Sequence, residues 1–201
     1  MQIARFEPLT SVEGPGKRTA VWFQGCSIRC QQCCNPQMFN ADARDFISVT
    51  ELASRIAEAA TRTDGLSLLG GEPLDQAFEL ISLLQNLRNF YKKGIILFTG
   101  YTWQQIQANS EKMQAVGLCD LIIAGPYIAA HASESRRWIG SDNQTLHFIT
   151  EYYADLQREW PLNKREIEII LRDGLILLNG TPLGDDHEVS RILRKTRETI
   201  D

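Results

Sequence analysis

The sequence has no long hydrophobic run, no excess of basic charge, no internal repeat, and only five cysteines among 201 residues. Each absence narrows the field. Without an apolar stretch of about 20 residues, no helix is expected to span a bilayer. A formal net charge of −4 removes the bulk electrostatic reason to bind nucleic acid or an anionic membrane. The opening MQIARFEPLT lacks the basic-then-apolar pattern of a secretory signal, so a cytoplasmic location is expected. No low-complexity tract or long Pro/Gly/Ser linker divides the chain. Its length therefore suits one domain with a sizeable core and at most an appendage.

What cysteine there is, is crowded. Residues 25–36 read GCSIRCQQCCNP, and no further cysteine appears until Cys119. An odd count in a reducing compartment argues against a disulfide framework. Structural zinc is closed by four ligands, usually as two separated pairs. Here His131, His147 and His187 stand singly and read as surface or packing residues. Adjacent Cys33 and Cys34 are expected to point in different directions, which would strain a four-cysteine site built from this loop alone. Cys26, Cys30 and Cys33, spaced Cx3Cx2C, suit three irons of a 4Fe–4S cube instead, leaving the fourth open to a substrate or cofactor. Cys34 then reads as a bystander and Cys119 as a buried small hydrophobe.

Around this loop, short apolar runs alternate with amphipathic stretches. TAVWFQG (19–25), GLSLLGG (65–71), GIILFTG (94–100) and CDLIIAG (119–125) read as strands, and 48–62, 75–93 and 102–117 as helices. Ser48 with Glu51 forms a capping box. Strand–helix alternation predicts an α/β fold with parallel strands, its site in the loops at their C-terminal ends. After TLHFIT (145–150), EIEIILRDGLILLNG predicts a hairpin turned by Asp173-Gly174, and 187–200 a closing helix. The expected organisation is a core over 1–150, with 151–201 packed on it as an extension. Trp103, Trp138 and Trp160 read as packing residues, and Arg136-Arg137 as a solvated pair.

The loop Cx3Cx2C after the first predicted strand resembles the signature of the radical S-adenosylmethionine (SAM) superfamily. Gly70-Gly71-Glu72-Pro73, ending the second predicted strand, resembles its GGE-type motif. In order, SVEGPGKRTAVWFQGC, RCQQCCNP, LLGGEPL, FTGYT and WIGSDNQ resemble the anaerobic ribonucleotide reductase activating protein family, the glycyl-radical activase branch, over roughly residues 1–150. That resemblance implies a partial, open β/α barrel carrying a C-terminal hairpin-plus-helix extension. It implies reductive cleavage of SAM to methionine and a 5′-deoxyadenosyl radical, which takes hydrogen from a glycine of a partner glycyl-radical enzyme. It also implies a flavodoxin- or ferredoxin-type electron donor, with no nucleic acid and no membrane involved. Carried over by position, Cys26, Cys30 and Cys33 would ligate the 4Fe–4S cluster. Gln32, Cys33 and Cys34 would line the adenine, Gly70, Gly71, Glu72 and Pro73 would hold the methionine end, and Thr99 and Asn143 would be polar SAM contacts. Arg18 would organise the cluster loop or the partner, or stand as a surface arginine beside a turn.

The chain departs from the family pattern at Lys17, at Gln32, at Ala124, where an aspartate is usual, and in its tail. These departures leave an alternative, a small radical SAM enzyme acting on a peptide or small molecule. A plain iron–sulfur electron carrier is disfavoured, because it needs no GGEP segment.

Overall fold

The structure is a computed structural model that describes residues 1–41, 46–162, 166–172 and 175–180. Six strands form one sheet in chain order: β1 (Ile3–Thr10), β2 (Arg18–Phe23), β3 (Gly65–Gly70), β4 (Gly94–Thr99), β5 (Leu121–Ala124) and β6 (Thr145–Phe148). β2 to β5 run parallel, and antiparallel β1 and β6 close the two edges. The sequence reading placed the four parallel strands but assigned neither antiparallel edge, β6 or β1, whose Pro8 a sheet tolerates at an edge.

Both faces of the parallel strands are covered, which is why they read as unbroken apolar runs. Val21, Phe23, Leu66, Leu68, Ile95, Leu97 and Ile122 face the helices, among Leu52, Ile56, Leu80, Leu84 and Leu87. The alternate residues face the other way. Ile96, Leu121 and Ile123 pack with Ile139, Tyr153, Leu156 and Trp160, and Ala20 and Trp22 with Met38.

Three crossovers carry the helices. α1 (Val49–Ala59) is capped by Ser48 Oγ, which accepts from Glu51 N at 3.1 Å; the Glu51 carboxylate pairs with Arg55. α2 (Ala77–Arg88) follows a 3₁₀ turn at Pro73–Gln76. The single helix expected over 102–117 is two, α3 (Trp103–Gln107) and α4 (Ser110–Val116). Asn109 makes the break, its side chain capping the second helix at Lys112 N (3.0 Å). Among the described residues, no helix is long and apolar enough to cross a membrane.

Arg18 is neither at the cysteine loop nor on the surface. It opens β2 at the opposite end of the sheet and is 1% exposed. Its Nε donates to Ser67 Oγ (2.6 Å), Nη1 to Pro15 O (3.2 Å) and Tyr153 Oη (3.0 Å), and Nη2 to Leu66 O and Gly94 O. All the N–H groups a guanidinium owns are thus used. Gly65, in register with Arg18 on β3, makes this possible, since a Cβ there would fall on the guanidinium.

Beyond the sheet, a turn at Glu151–Tyr153 and the short α5 (Ala154–Arg158) bring Tyr153 and Leu156 back against it. β7 (Ile167–Arg172) and β8 (Leu175–Gly180) then pair antiparallel as a separate two-stranded sheet. The expected hairpin is there, although its Asp173-Gly174 turn and the helix expected over 187–200 lie outside the described residues. The hairpin does not extend the six-stranded sheet. It is tied to β1 and the segment after it by polar contacts. Thr10 Oγ1 donates to Glu168 (2.6 Å), Arg172 pairs with buried Glu7 (2.8 Å), and Gly180 N donates to Glu13 (3.2 Å).

Candidate functional site

The C-terminal ends of the parallel strands meet. After β2 the chain turns into the cysteine loop; after β3 come Gly71 and Glu72; after β4, Gly100 and Tyr101; after β5, Gly125 to Tyr127. Backbone hydrogen bonds fasten these loops together. Gly71 N donates to Phe23 O (2.8 Å), Glu72 N to Gly25 O (2.8 Å), and Gly125 N to Thr99 O (3.0 Å). A Cβ at Gly71 would fall on the Gly25 carbonyl, so a side chain there would push the cysteine loop away. In this structure the double glycine acts by seating that loop.

The loop itself coils tightly. Arg29 (φ 50°) and Gln32 (φ 59°) each precede a cysteine of the triplet and are left-handed, a conformation costing an L residue roughly 1–2 kcal/mol. Such strain persists where the surroundings dictate the fold and clusters at functional sites. Here it turns the chain so that Cys30 and Cys33 follow Cys26 around one loop, with Cys33 N donating to Cys30 O (3.3 Å). The three thiols are half-buried and free, and Cys34 is exposed. Burial pushes Cys26 and Cys30 up from the usual thiol range. Backbone N–H groups of Ile28 and Arg29 face Cys26, and that of Tyr127 faces Cys30.

Cys33 and Cys34 do not diverge as expected. The Cys34 thiol hydrogen-bonds Cys33, drawing Cys33 down to about 6. Asn35 steadies the pair, its N donating to Cys33 Sγ at 3.4 Å and its Nδ2 to Cys34 Sγ at 3.5 Å. Cys119 is fully buried and far from the loop in sequence, as a small core hydrophobe.

Among the described residues, no three His, Cys, Asp or Glu side chains close on a single metal ion. A cubane distributes its irons and needs thiolates arranged around it, rather than converging on one point. A soft set of three free, half-buried thiols on one loop, faced by backbone N–H donors, fits that group.

The remaining residues singled out from the sequence stand around this loop. Glu72 is 1% exposed, and its carboxylate turns back into the fold. It accepts from Leu74 N (2.9 Å), Thr99 Oγ1 (2.8 Å) and Gly100 N (2.7 Å), tying the third strand end to the fourth. Thr99, also buried, thus donates to Glu72. Pro73 starts the 3₁₀ turn and is buried. Asn143 Nδ2 donates to Pro126 O (2.8 Å), while its Oδ1 is buried without a partner, an acceptor left open at the β5 end. Ala124 is buried on the helix side of the sheet. Sequence reasoning passed over Asp75, Ser27 and Tyr101, which hydrogen-bond one another beside Cys26. Their signal was position alone, each lying within a few residues of a strand end.

Burial pushes Glu72 up to about 7, against the pull of its three donors. A carboxyl that holds its proton more tightly folded than unfolded contributes stability below pH 4.5, and that contribution is lost as pH rises through 7. Stability of the metal-free protein should therefore fall between pH 5 and pH 8. Glu72→Gln should flatten that fall, at a cost of about 1–3 kcal/mol at pH 5, because its amide N–H₂ meets donors. Urea denaturation at several pH values measures both. Equal slopes for the two proteins would exclude Glu72 as the titrating group.

Comparison with known proteins bears on the same residues. The family model for the 4Fe–4S single cluster domain matches residues 12–147, from the segment before β2 into β6. The anaerobic ribonucleoside-triphosphate reductase-activating protein of enterobacteria phage T4 is 32% identical over 159 residues, 75% of this chain and 96% of that protein. The proteins of the same name from Escherichia coli K12 and Vibrio cholerae are 27% and 26% identical, each covered over 99% of its length. The hairpin lies beyond the residues the family model matches. On these matches the chain belongs to the 4Fe–4S single cluster domain family and to the family of anaerobic ribonucleoside-triphosphate reductase-activating proteins.

Proposed function

We propose that this protein is a radical SAM activase that cleaves S-adenosylmethionine reductively and generates a glycyl radical on a partner enzyme, an anaerobic ribonucleotide reductase. The observation that carries the reading is the junction itself. The Cx3Cx2C loop is seated by backbone hydrogen bonds on the Gly70-Gly71-Glu72-Pro73 turn at the C-terminal ends of parallel strands, in a chain that matches activating proteins over nearly their whole length. An electron carrier would not need the second element.

In this reading Cys26, Cys30 and Cys33 hold the 4Fe–4S cluster. When bound, the cluster would supply the electron for reductive cleavage of SAM, and the activation would end in a radical on the partner's glycine. The chain's own residues bind and orient SAM. The Gln32–Cys34 backbone would line the adenine, and the Gly70–Pro73 carbonyls would take the methionine ammonium, since the Glu72 carboxylate already has three donors. The open Asn143 Oδ1 would accept from a SAM hydroxyl or amine, and Thr99 would act through Glu72. The mostly parallel sheet would be an open β/α barrel of the radical SAM type. Residues 151–201 would be an extension of a 1–150 core, and the protein would be cytoplasmic, served by a flavodoxin- or ferredoxin-type donor.

The test is anaerobic reconstitution followed by reduction in the presence of SAM and the partner reductase. Methionine and 5′-deoxyadenosine should form in equal amounts, and a glycyl-radical electron paramagnetic resonance signal should appear on the partner. A cluster-loaded protein that forms no 5′-deoxyadenosine would overturn the reading.

A further inference from the structure

Cys26 differs from the other two cysteines of the triplet in how its neighbours are held. On its N-terminal side, Gly25 N and Cys26 N donate to Met38 O (2.9 Å) and Phe39 O (3.1 Å). On its C-terminal side, the next residue is gripped by one carboxylate. Ser27 N donates to Asp75 Oδ2 at 2.7 Å, and Ser27 Oγ to Asp75 Oδ1 at 2.8 Å. Tyr101 Oη, from the loop after β4, donates to the same Oδ1 at 2.7 Å and lies 3.1 Å from Ser27 Oγ. Lys112 of α4 completes the group. Its ammonium stands 4.3 Å from the centre of the Tyr101 ring and donates to Leu74 O at 3.0 Å.

Three strand-end loops therefore meet on the carboxylate of an exposed aspartate, whose side chain bonds Ser27 and Tyr101 and whose backbone N donates to Glu72 O (3.1 Å). An exposed side chain gains little stability from such contacts, which water could replace. Their effect is geometric: with its backbone N–H and hydroxyl both engaged by one carboxylate, Ser27 is held at two points, which restrains the peptide that joins it to Cys26.

We propose that Asp75 is a positioning residue for the iron–sulfur cluster, a carboxylate clamp that fixes Cys26 through Ser27 and is itself oriented by Tyr101. The inference rests on the reading that Cys26 is a cluster ligand. Groups that orient metal ligands commonly cost 10–100-fold in metal affinity when removed. The clamp needs two hydrogen-bonding positions more than it needs charge. Asparagine can accept from Ser27 N with its Oδ1, and donate from Nδ2 to the hydroxyls, which can reverse their role. Alanine can do neither.

The experiment compares reconstituted wild-type, Asp75→Ala and Asp75→Asn proteins. Iron release to a ferrous chelator after reduction is followed alongside the paramagnetic resonance spectrum of the reduced cluster, the urea midpoint, and hydrogen exchange at the Ser27 amide. Asp75→Ala should release iron about tenfold faster, broaden or shift the cluster signal, and expose the Ser27 amide, with an unchanged urea midpoint. Asp75→Asn should restore slow release and amide protection. Release from Asp75→Ala at the wild-type rate would overturn the proposal. So would Asp75→Asn behaving like alanine, which would make charge rather than hydrogen bonding the cause. A wild-type chain that takes up no iron would instead overturn the activase reading on which the proposal stands.

Discussion

Alanine at Cys26, Cys30 or Cys33 should leave anaerobically reconstituted protein colourless, whereas Cys34→Ala should stay brown with about four irons per chain. The effect is all-or-none because three-thiolate ligation of the cube uses every cysteine of the triplet. Cys119 cannot replace one, being fully buried. Cys34 is the only candidate substitute, and it is the informative control. It is exposed and hydrogen-bonded to Cys33, so once Cys33 binds iron that thiol contact has no further role. Iron content and visible absorption decide the matter. Loss of iron in Cys34→Ala together with its retention in Cys33→Ala would move the third ligand by one position. Loss in all four variants would mean that the loop needs both thiols to fold.

The parts of this site that could be read from the sequence are those governed by short-range rules. Parallel strands buried on both faces leave apolar runs such as VWF, IILF and LIIA, and their ends appear as glycines and polar residues. The cysteine spacing announces soft-metal chemistry without any knowledge of the fold. What stayed hidden depends on where distant segments meet. β1 buries only the polar residues Glu7 and Thr10, is interrupted by two register shifts against β2 and contains Pro8, so neither a continuous run nor clean alternation marks it. The helical pattern passes unbroken through Asn109, although its cap ends one helix and begins another. Glu72 sits in a motif that suggests ligand binding, yet only the placement of Thr99 and Gly100 shows that its carboxylate turns inward. The same holds for Asp75, whose partners are 48 and 26 residues away.

Arg18 is the extreme case of that long-range dependence, and its removal should cost the most stability. Arg18→Met should lower unfolding free energy by about 3–5 kcal/mol, because several buried acceptors each lose a donor, a fall of roughly 10 °C in Tm for a chain of this size. Methionine fills much of the volume but donates nothing. Two buried carbonyls (Leu66 and Gly94), the half-buried carbonyl of Pro15 and the hydroxyls of Ser67 and Tyr153 would lose a donor, and the buried strand ends offer little water to replace it. No carboxylate among the described residues pairs with the guanidinium, so the mutation strands no opposite charge, and the loss is one of hydrogen bonds across β2, β3 and β4. Lysine should rescue little, because one ammonium with three donors cannot span acceptors spread over two strands, the segment before β2 and the Tyr153 turn. The network sits at the end of the sheet opposite the cysteine loop, so folded Arg18→Met should still bind iron in full. Thermal unfolding of the metal-free protein and iron content after reconstitution separate these two expectations. Wild-type stability would show that the acceptors find other partners, and iron loss at wild-type stability would place Arg18 in the cluster site after all.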